Sequence, residues 1–197
     1  MTGLETLRVE LDEGTELQAA ESRLRAHHSG VADGQGLEAI IAGATLGVSK
    51  RTWLLPGRRE RACALLRGAD ADRLDATRPY RVLPAGDSPA QRALQAVGLA
   101  LVGDPVLVFL GSGSLSYGAA LEALALAAAQ QAQLCVVVSW YQGEGPFAQQ
   151  LPVEPAALAS SLGLATAVVD GRDAVAVQAA VNGPLPRLVQ CNLRGRA

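Results

Sequence analysis

The sequence predicts an α/β protein with a mainly parallel sheet and helices on both faces. Short apolar runs at residues 106–110, 134–138, 166–169 and 188–191 have the length and branched side chains of strands buried on both faces. Ala- and Leu-rich runs between them supply the helical crossovers that parallel strands require. We expect one domain over residues 1–197, with residues 1–34 as an N-terminal helical arm.

The stretch at residues 106–141 is the centre of this prediction. It contains a strand at 106–110, a glycine turn, a helix over 117–130 and a second strand at 134–138. Gly111 and Gly113 leave the turn free of Cβ atoms, and Ser114 or Ser116 is expected to cap the helix. In such a right-handed βαβ unit a ligand binds where the strand ends and the helix begins.

The other elements follow from periodicity and cap residues. An N-terminal helix from Thr15 has apolar residues at helical spacing, and adjacent His27 and His28 suit a solvated helix end better than a metal pair. The remaining predictions are a helix over 34–48, a polar linker over 69–87, a helix from Ser88 to residue 101, a short helix from Pro155 and a helix over 172–181.

Composition excludes several classes of function. The chain has 197 residues, 17 basic and 19 acidic, and its net charge of -2 gives no reason to expect a nucleic-acid partner. Its apolar runs are too short to span a bilayer, and its acidic N-terminus lacks the apolar stretch of a signal peptide. We therefore expect a cytoplasmic protein that does not enter membranes.

Three cysteines are spread far apart in the sequence. Cys63, Cys135 and Cys191 form no C-x-x-C motif and are odd in number, and two of them lie in predicted strands. Such residues behave as small hydrophobic side chains. We expect all three to be free and structural.

Three segments carry a shared pattern of motifs. Segment 36–68 contains Gly36 to Ala39, Trp53, Pro56, Arg59, Arg67 and Gly68; segment 106–138 contains Gly111, Gly113, Gly118, Glu122 and Ala123; and segment 164–181 contains a strand, an Asp-Gly turn and a helix. Together these segments resemble the α subunit of the E1 component of thiamine diphosphate-dependent 2-oxo acid dehydrogenases. The resemblance covers about residues 15 to 194. It implies the thiamine diphosphate-binding fold.

The same resemblance suggests a cofactor site and shows where this chain departs from it. Arg59 matches the arginine that holds the cofactor's diphosphate, with Gly111, Ser112, Gly113 and Tyr141 around it and Gly143 in the loop at its mouth. Ser112 stands where the family has an aspartate that binds Mg²⁺, and Trp140 and Tyr141 stand where it has asparagines. We expect no counterpart of the family's histidine loop or of its C-terminal portion in these 197 residues. The resemblance thus assigns no catalytic or metal-binding residue, and no cofactor is expected.

Three functions remain open at the level of sequence. The first is a non-catalytic E1 α-like protein that acts through a partner subunit or as a regulator. The second is a subunit that still binds thiamine diphosphate with Mg²⁺ for a 2-oxo acid dehydrogenase. The third is a phosphate-binding or small-molecule-binding α/β protein with the glycine turn as its anion site.

The helix over 117–130 also predicts a partner. It is apolar on nearly every side, and Glu122 is its only charged residue, so one sheet face cannot bury it. We expect either a homodimer or an E1 β-like partner subunit, with Ala120 and Ala127 in the contact.

Overall fold

The computed structural model describes residues 3–27, 36–74, 77–84, 88–142 and 151–194. Its sheet is five-stranded, with every neighbouring pair parallel and the order β1-β2-β3-β5-β4. The strands are β1 (Trp53–Leu55), β2 (Val106–Gly111), β3 (Leu134–Gln142), β4 (Ala165–Asp170) and β5 (Arg187–Arg194). The predicted α/β class and parallel sheet are confirmed.

Seven α-helices surround the sheet in the part of the chain that the structure describes. They are α1 (Gly3–His27), α2 (Glu38–Leu46), α3 (Cys63–Leu66), α4 (Pro89–Leu101), α5 (Gly118–Ala129), α6 (Pro155–Ser161) and α7 (Ala174–Val181). Helices α1, α2, α3 and α7 share a core with one face of the sheet, through residues such as Phe109 and Val137. Helices α4, α5 and α6 share a core with the other face, through residues such as Val108 and Val136. Both faces are therefore covered.

The order of the strands explains the position of α7. The chain moves across the sheet from β1 to β3, passes the place of β5 to form β4, and then returns. A right-handed crossover that reverses direction places its helix on the opposite face. Helix α7, between β4 and β5, thus lies opposite α4, α5 and α6 and packs on α2.

The contact between α2 and α7 depends on a glycine. A Cβ placed on Gly43 would lie 2.9 Å from the Cβ of Val177 and would also collide with the carbonyl oxygen of Ala174. The absent side chain lets the two helix backbones approach closely. This contact fixes α7 beside α2.

Cap residues were predicted with mixed success. Ser88 caps α4 as predicted, because its side chain accepts a hydrogen bond from the Gln91 N–H. Neither Ser114 nor Ser116 caps α5, so that prediction was wrong. Residues Ser112–Ser116 form a 3-10 turn, and Ser116 Oγ donates to the carbonyl oxygen of Gly113 at 2.8 Å.

Several predicted boundaries also change. β1 was not predicted as a strand, and β3 runs on to Gln142, which places Trp140 and Tyr141 inside the strand. Helix α1 starts well before Thr15, whereas α2 and α7 are shorter than predicted. The segment predicted as a polar linker contributes Val82, which is buried and forms a bridge to Leu54 of β1.

The cysteines are as expected. Cys63, Cys135 and Cys191 are free and buried. Burial raises the pKa of Cys135 and Cys191 to about 12 and shifts the pKa of Cys63 in the same direction. A thiol with such a pKa is inert near neutral pH.

The predicted contact residues of α5 were the wrong ones. Ala120 and Ala127 are fully buried against the sheet. The exposed side of the helix carries Ala125, Leu126 and Ala129 instead. Among the described residues, no helix has the length and apolar character needed to cross a membrane.

Candidate functional site

The candidate site lies at the carboxyl ends of β1, β2 and β3. Because these strands are parallel neighbours, the loop after β1, the turn after β2 and the last residues of β3 meet at one edge of the sheet. This edge brings together Arg59, the Gly111 to Gly113 turn and Tyr141. The sequence predicted all of them as site residues.

A hydrogen bond between Arg59 and Tyr141 crosses the carboxyl edge of the sheet. The Arg59 Nη2 group donates a hydrogen bond of 2.7 Å to the Tyr141 phenol oxygen, and the guanidinium carbon lies 5.5 Å from the centre of the ring. Arg59 follows β1 and Tyr141 is in β3, so the contact passes over the end of β2, which lies between them. Both contacts hold Arg59 towards β3.

The turn after β2 lies beneath this contact. Gly111 pairs with Ser139 of β3, and a Cβ on Gly111 would meet no atom of the described residues within 4 Å. Ser112 and Ser114 in the turn are buried, as is Ser139. The space beside Gly111 is thus open and is bordered by hydroxyl groups and backbone.

A buried pair of charged residues lies next to Arg59, and the sequence did not predict this pair. Glu60 and Arg92 are both buried, and Arg92 Nη1 donates a hydrogen bond of 3.1 Å to the carbonyl oxygen of Phe109 in β2. Burial raises the pKa of Glu60, although Arg92 and Arg59 act in the opposite direction. One signal was available, since Arg92 is the only charged residue of α4.

Gly57 makes room for this pair. A Cβ on Gly57 would lie 2.8 Å from Arg92 Nη1 and would collide with Oε2 of Glu60. Gly57 is itself buried. The glycine after β1 therefore allows both charged side chains to reach the end of β2 from opposite sides of the sheet.

The residues at this edge do not suit Mg²⁺. That ion prefers anionic or carbonyl oxygens in an octahedral arrangement, and the family positions are occupied here by the hydroxyl of Ser112 and the phenol of Tyr141. The phenol oxygen already accepts a hydrogen bond from a guanidinium, which would repel a cation placed beside it. The described residues include no group of three or more His, Cys, Asp or Glu side chains that could hold a metal ion.

One predicted site residue, Gly143, falls outside the described residues, in the range 143–150. Its place in the cofactor site stays a prediction. His28, expected to lie at a solvated helix end, is in the range 28–35, which is also outside the described residues.

The comparisons with known proteins add no relative. No protein-family model matches the chain, and no curated protein matches its sequence. The candidate site is therefore defined by its geometry and by the resemblance of its motifs.

Proposed function

We propose that this chain is a non-catalytic protein of the E1 α type, which acts through a partner subunit or as a regulator of one. The observation that carries the proposal is the hydrogen bond between Arg59 and Tyr141. In the resemblance, Arg59 holds a diphosphate and position 141 supplies an oxygen ligand to the metal. Here the two side chains bind each other across the place where that diphosphate would lie.

The turn after β2 supports the same proposal. Ser112 replaces a carboxylate, so a metal at this edge would lose one anionic ligand. Arg59 and Arg92 both lie at this edge with Glu60, whose pKa burial raises, so two guanidinium groups stand against one carboxyl group. The local charge is thus positive rather than negative, which disfavours a divalent cation.

A large uncharged surface suits the partner subunit. Helices α4 and α5 pack side by side, and both expose apolar residues on their outer sides. The exposed members are Leu94, Gly98, Leu101 and Val102 near α4 and Tyr117, Ala125, Leu126 and Ala129 near α5. We call these residues the α4–α5 surface. Glu122 is the only exposed charged residue within the two helices, and apolar residues exposed on neighbouring helices are typical of a protein contact.

Calorimetric titration of the purified protein with thiamine diphosphate and Mg²⁺ tests the proposal. We expect no binding heat at tens of micromolar protein. Micromolar affinity that depends on Mg²⁺, equivalent to about -8 kcal/mol, would contradict the proposal and favour the cofactor-binding subunit. Binding of inorganic phosphate or nucleotides without thiamine diphosphate would favour the third function.

Two variants locate the cause of the lost binding. Ser112→Asp alone should not bind the cofactor, because Tyr141 still offers no carbonyl oxygen and still holds Arg59. Ser112→Asp combined with Tyr141→Asn supplies both oxygen ligands and releases Arg59. We expect this double variant to bind thiamine diphosphate with Mg²⁺ more tightly than the single variant, and equal affinities would show that these positions do not control binding.

A further inference from the structure

The two edge strands of the sheet, β1 and β4, differ in their length and in what covers their outer sides. β1 has only three residues, and Val82 forms a parallel bridge with Leu54 on its outer side. β4 at the other edge has six residues and no outer neighbour among the described residues. An open edge strand is a template for pairing with another strand, and proteins usually shorten, charge or cover it.

The outward side of β4 is ready to form hydrogen bonds. The Ala165 N–H donates to the carbonyl oxygen of Pro186, and the parallel register of β4 with β5 continues through Ala167 and Val169. In a parallel ladder, alternate residues direct their N–H and C=O groups to opposite sides. Thr166 and Val168 therefore direct both groups away from the sheet. Asp170 directs its N–H there, while its carbonyl oxygen already accepts a hydrogen bond of 3.1 Å from the Asp173 N–H.

The side chains on this edge are also compatible with a partner. Val168 lies at the centre of the outward set and is 52% exposed. β4 contains no Lys, Arg or Pro, and its one charged residue, Asp170, lies at the end of the strand, so Thr166 to Val169 lack the usual protection of an open edge. Asp170, at the strand's end, is paired with Arg172 at 3.1 Å.

We infer that β4 is a dimerisation edge, at which a second copy of this chain adds its own β4 in antiparallel orientation. The two-fold axis passes through Val168, so that each Val168 exchanges both backbone hydrogen bonds with its counterpart. Thr166 of one copy then pairs with Asp170 of the other, and Asp170 with Thr166. In this register both backbone groups of Thr166 and Val168 find partners, as does the Asp170 N–H, and the Asp170 carbonyl oxygen accepts from the Thr166 N–H in addition to the Asp173 N–H.

The charged residue of β4 favours antiparallel pairing between two copies of this strand. The antiparallel register places each Asp170 opposite Thr166 of the other copy, so the two aspartates lie at opposite ends of the paired strands. Like charges directly opposite in a sheet are destabilising. The strand is thus complementary to itself about a two-fold axis, which is the usual symmetry of a dimer.

Helix α7 supplies a second contact at the same place. It packs on β4, and its eight residues include no charged side chain. Its contact with Gly43 of α2 uses Ala174, Val177 and Gln178, so at 100° per residue Val175 and Ala179 lie on another side of the helix, and both are exposed. Antiparallel pairing of β4 brings two copies of α7 next to each other and covers these residues.

The dimer leaves the α4–α5 surface on the opposite face free for the partner subunit. The inference does not depend on the proposed function, because it rests on the edge strand and on α7. A failure in the thiamine diphosphate titration would leave it unaffected.

Light scattering on the chromatographed protein tests the dimer. We expect wild type at tens of micromolar to have twice the chain mass of 20.3 kDa, and Val168→Lys to have the mass of one chain, because two lysines would face each other at the axis. Val168→Thr keeps the branched shape and should remain a dimer. Leu126→Lys, on the α4–α5 surface, should also remain a dimer.

Three results would overturn the inference. The first is a wild-type protein with the mass of one chain. The second is a Val168→Lys protein that keeps the mass of two chains. The third is a Leu126→Lys protein that dissociates while the Val168→Lys protein does not.

Amide hydrogen exchange tests the dimer without any variant. The amides of Thr166, Val168 and Asp170 should be protected at high protein concentration and lose protection on dilution, whereas those of Ala167 and Val169 should be protected throughout.

Discussion

Gly57 is the residue on which the buried charges at the site depend. Its missing Cβ leaves space for Glu60 and Arg92, which come from the loop after β1 and from α4. Sequence patterns do not reveal such a role, because the two side chains that need the space lie 32 positions apart in the chain. The resemblance identified the neighbouring Arg59 only because a family motif includes that position.

Gly57→Ala should destabilise the protein. The new methyl group would collide with the carboxylate of Glu60 and lie 2.8 Å from Arg92 Nη1, and overpacking of this kind lowers the free energy of unfolding by about 1–3 kcal/mol. Gly98→Ala is the matched control, because it lies in α4 with nothing within 4 Å of the new methyl group. The control should gain about 0.5–1 kcal/mol. Urea unfolding measures both, and equal effects would contradict the proposed role of Gly57.

Glu60 should make stability depend on pH. Burial raises the pKa of its carboxyl group, so between about 4.3 and the raised pKa the folded state holds a proton that the unfolded state has released. The free energy of unfolding contributed by Glu60 therefore falls as pH rises through this window and is constant above it.

Glu60→Gln removes this titration. We expect the free energy of unfolding of wild type, minus that of Glu60→Gln, to fall as pH rises from 4 to 7. Urea unfolding of both proteins across that range isolates the contribution of Glu60 from those of other carboxyl groups. A difference that is the same at every pH would contradict a raised pKa.

At the scale of elements, α5 shows what periodicity leaves undecided. A helix that is apolar on nearly every side was correctly expected to have apolar surface left over. Its buried side was assigned wrongly, because Ala occupies both the sheet side, at Ala120 and Ala127, and the outer side, at Ala125 and Ala129. Where both sides have the same chemistry, only tertiary packing decides which one is buried.

The α4–α5 surface should bind the partner subunit. Leu101→Glu combined with Leu126→Glu places two charges on exposed positions, so the fold should be kept and the melting temperature should change little. Immobilised wild type and the dimer-deficient Val168→Lys should both retain the partner from an extract of the source cells, whereas the double Glu variant should not. Equal retention by all three proteins would contradict the assignment of this surface.

At the scale of the whole molecule, the sheet could be predicted and its order could not. Long apolar runs identify strands that are buried on both faces, and the helices between them require parallel pairing. Strand order depends on which faces meet in space, and no local pattern records it. β1 was missed because three residues are too short for any periodicity, although the matched motif includes its first residue, Trp53, and Pro56 directly after it.

The position of β5 has a consequence for synthesis. β5 follows β4 along the chain, yet it lies between β3 and β4 in the sheet. While the ribosome makes the protein, β4 emerges before β5, the strand with which it pairs. The edge of β3 that pairs with β5 also stays open until residues 187–194 have been made. A nascent chain at that stage has two unpaired parallel edges and can join β3 directly to β4, an incorrect pairing that β5 must then displace. Slow translation between residues 170 and 187 would lengthen this interval, and the protein's yield should therefore respond to codon choice in that short stretch more than elsewhere.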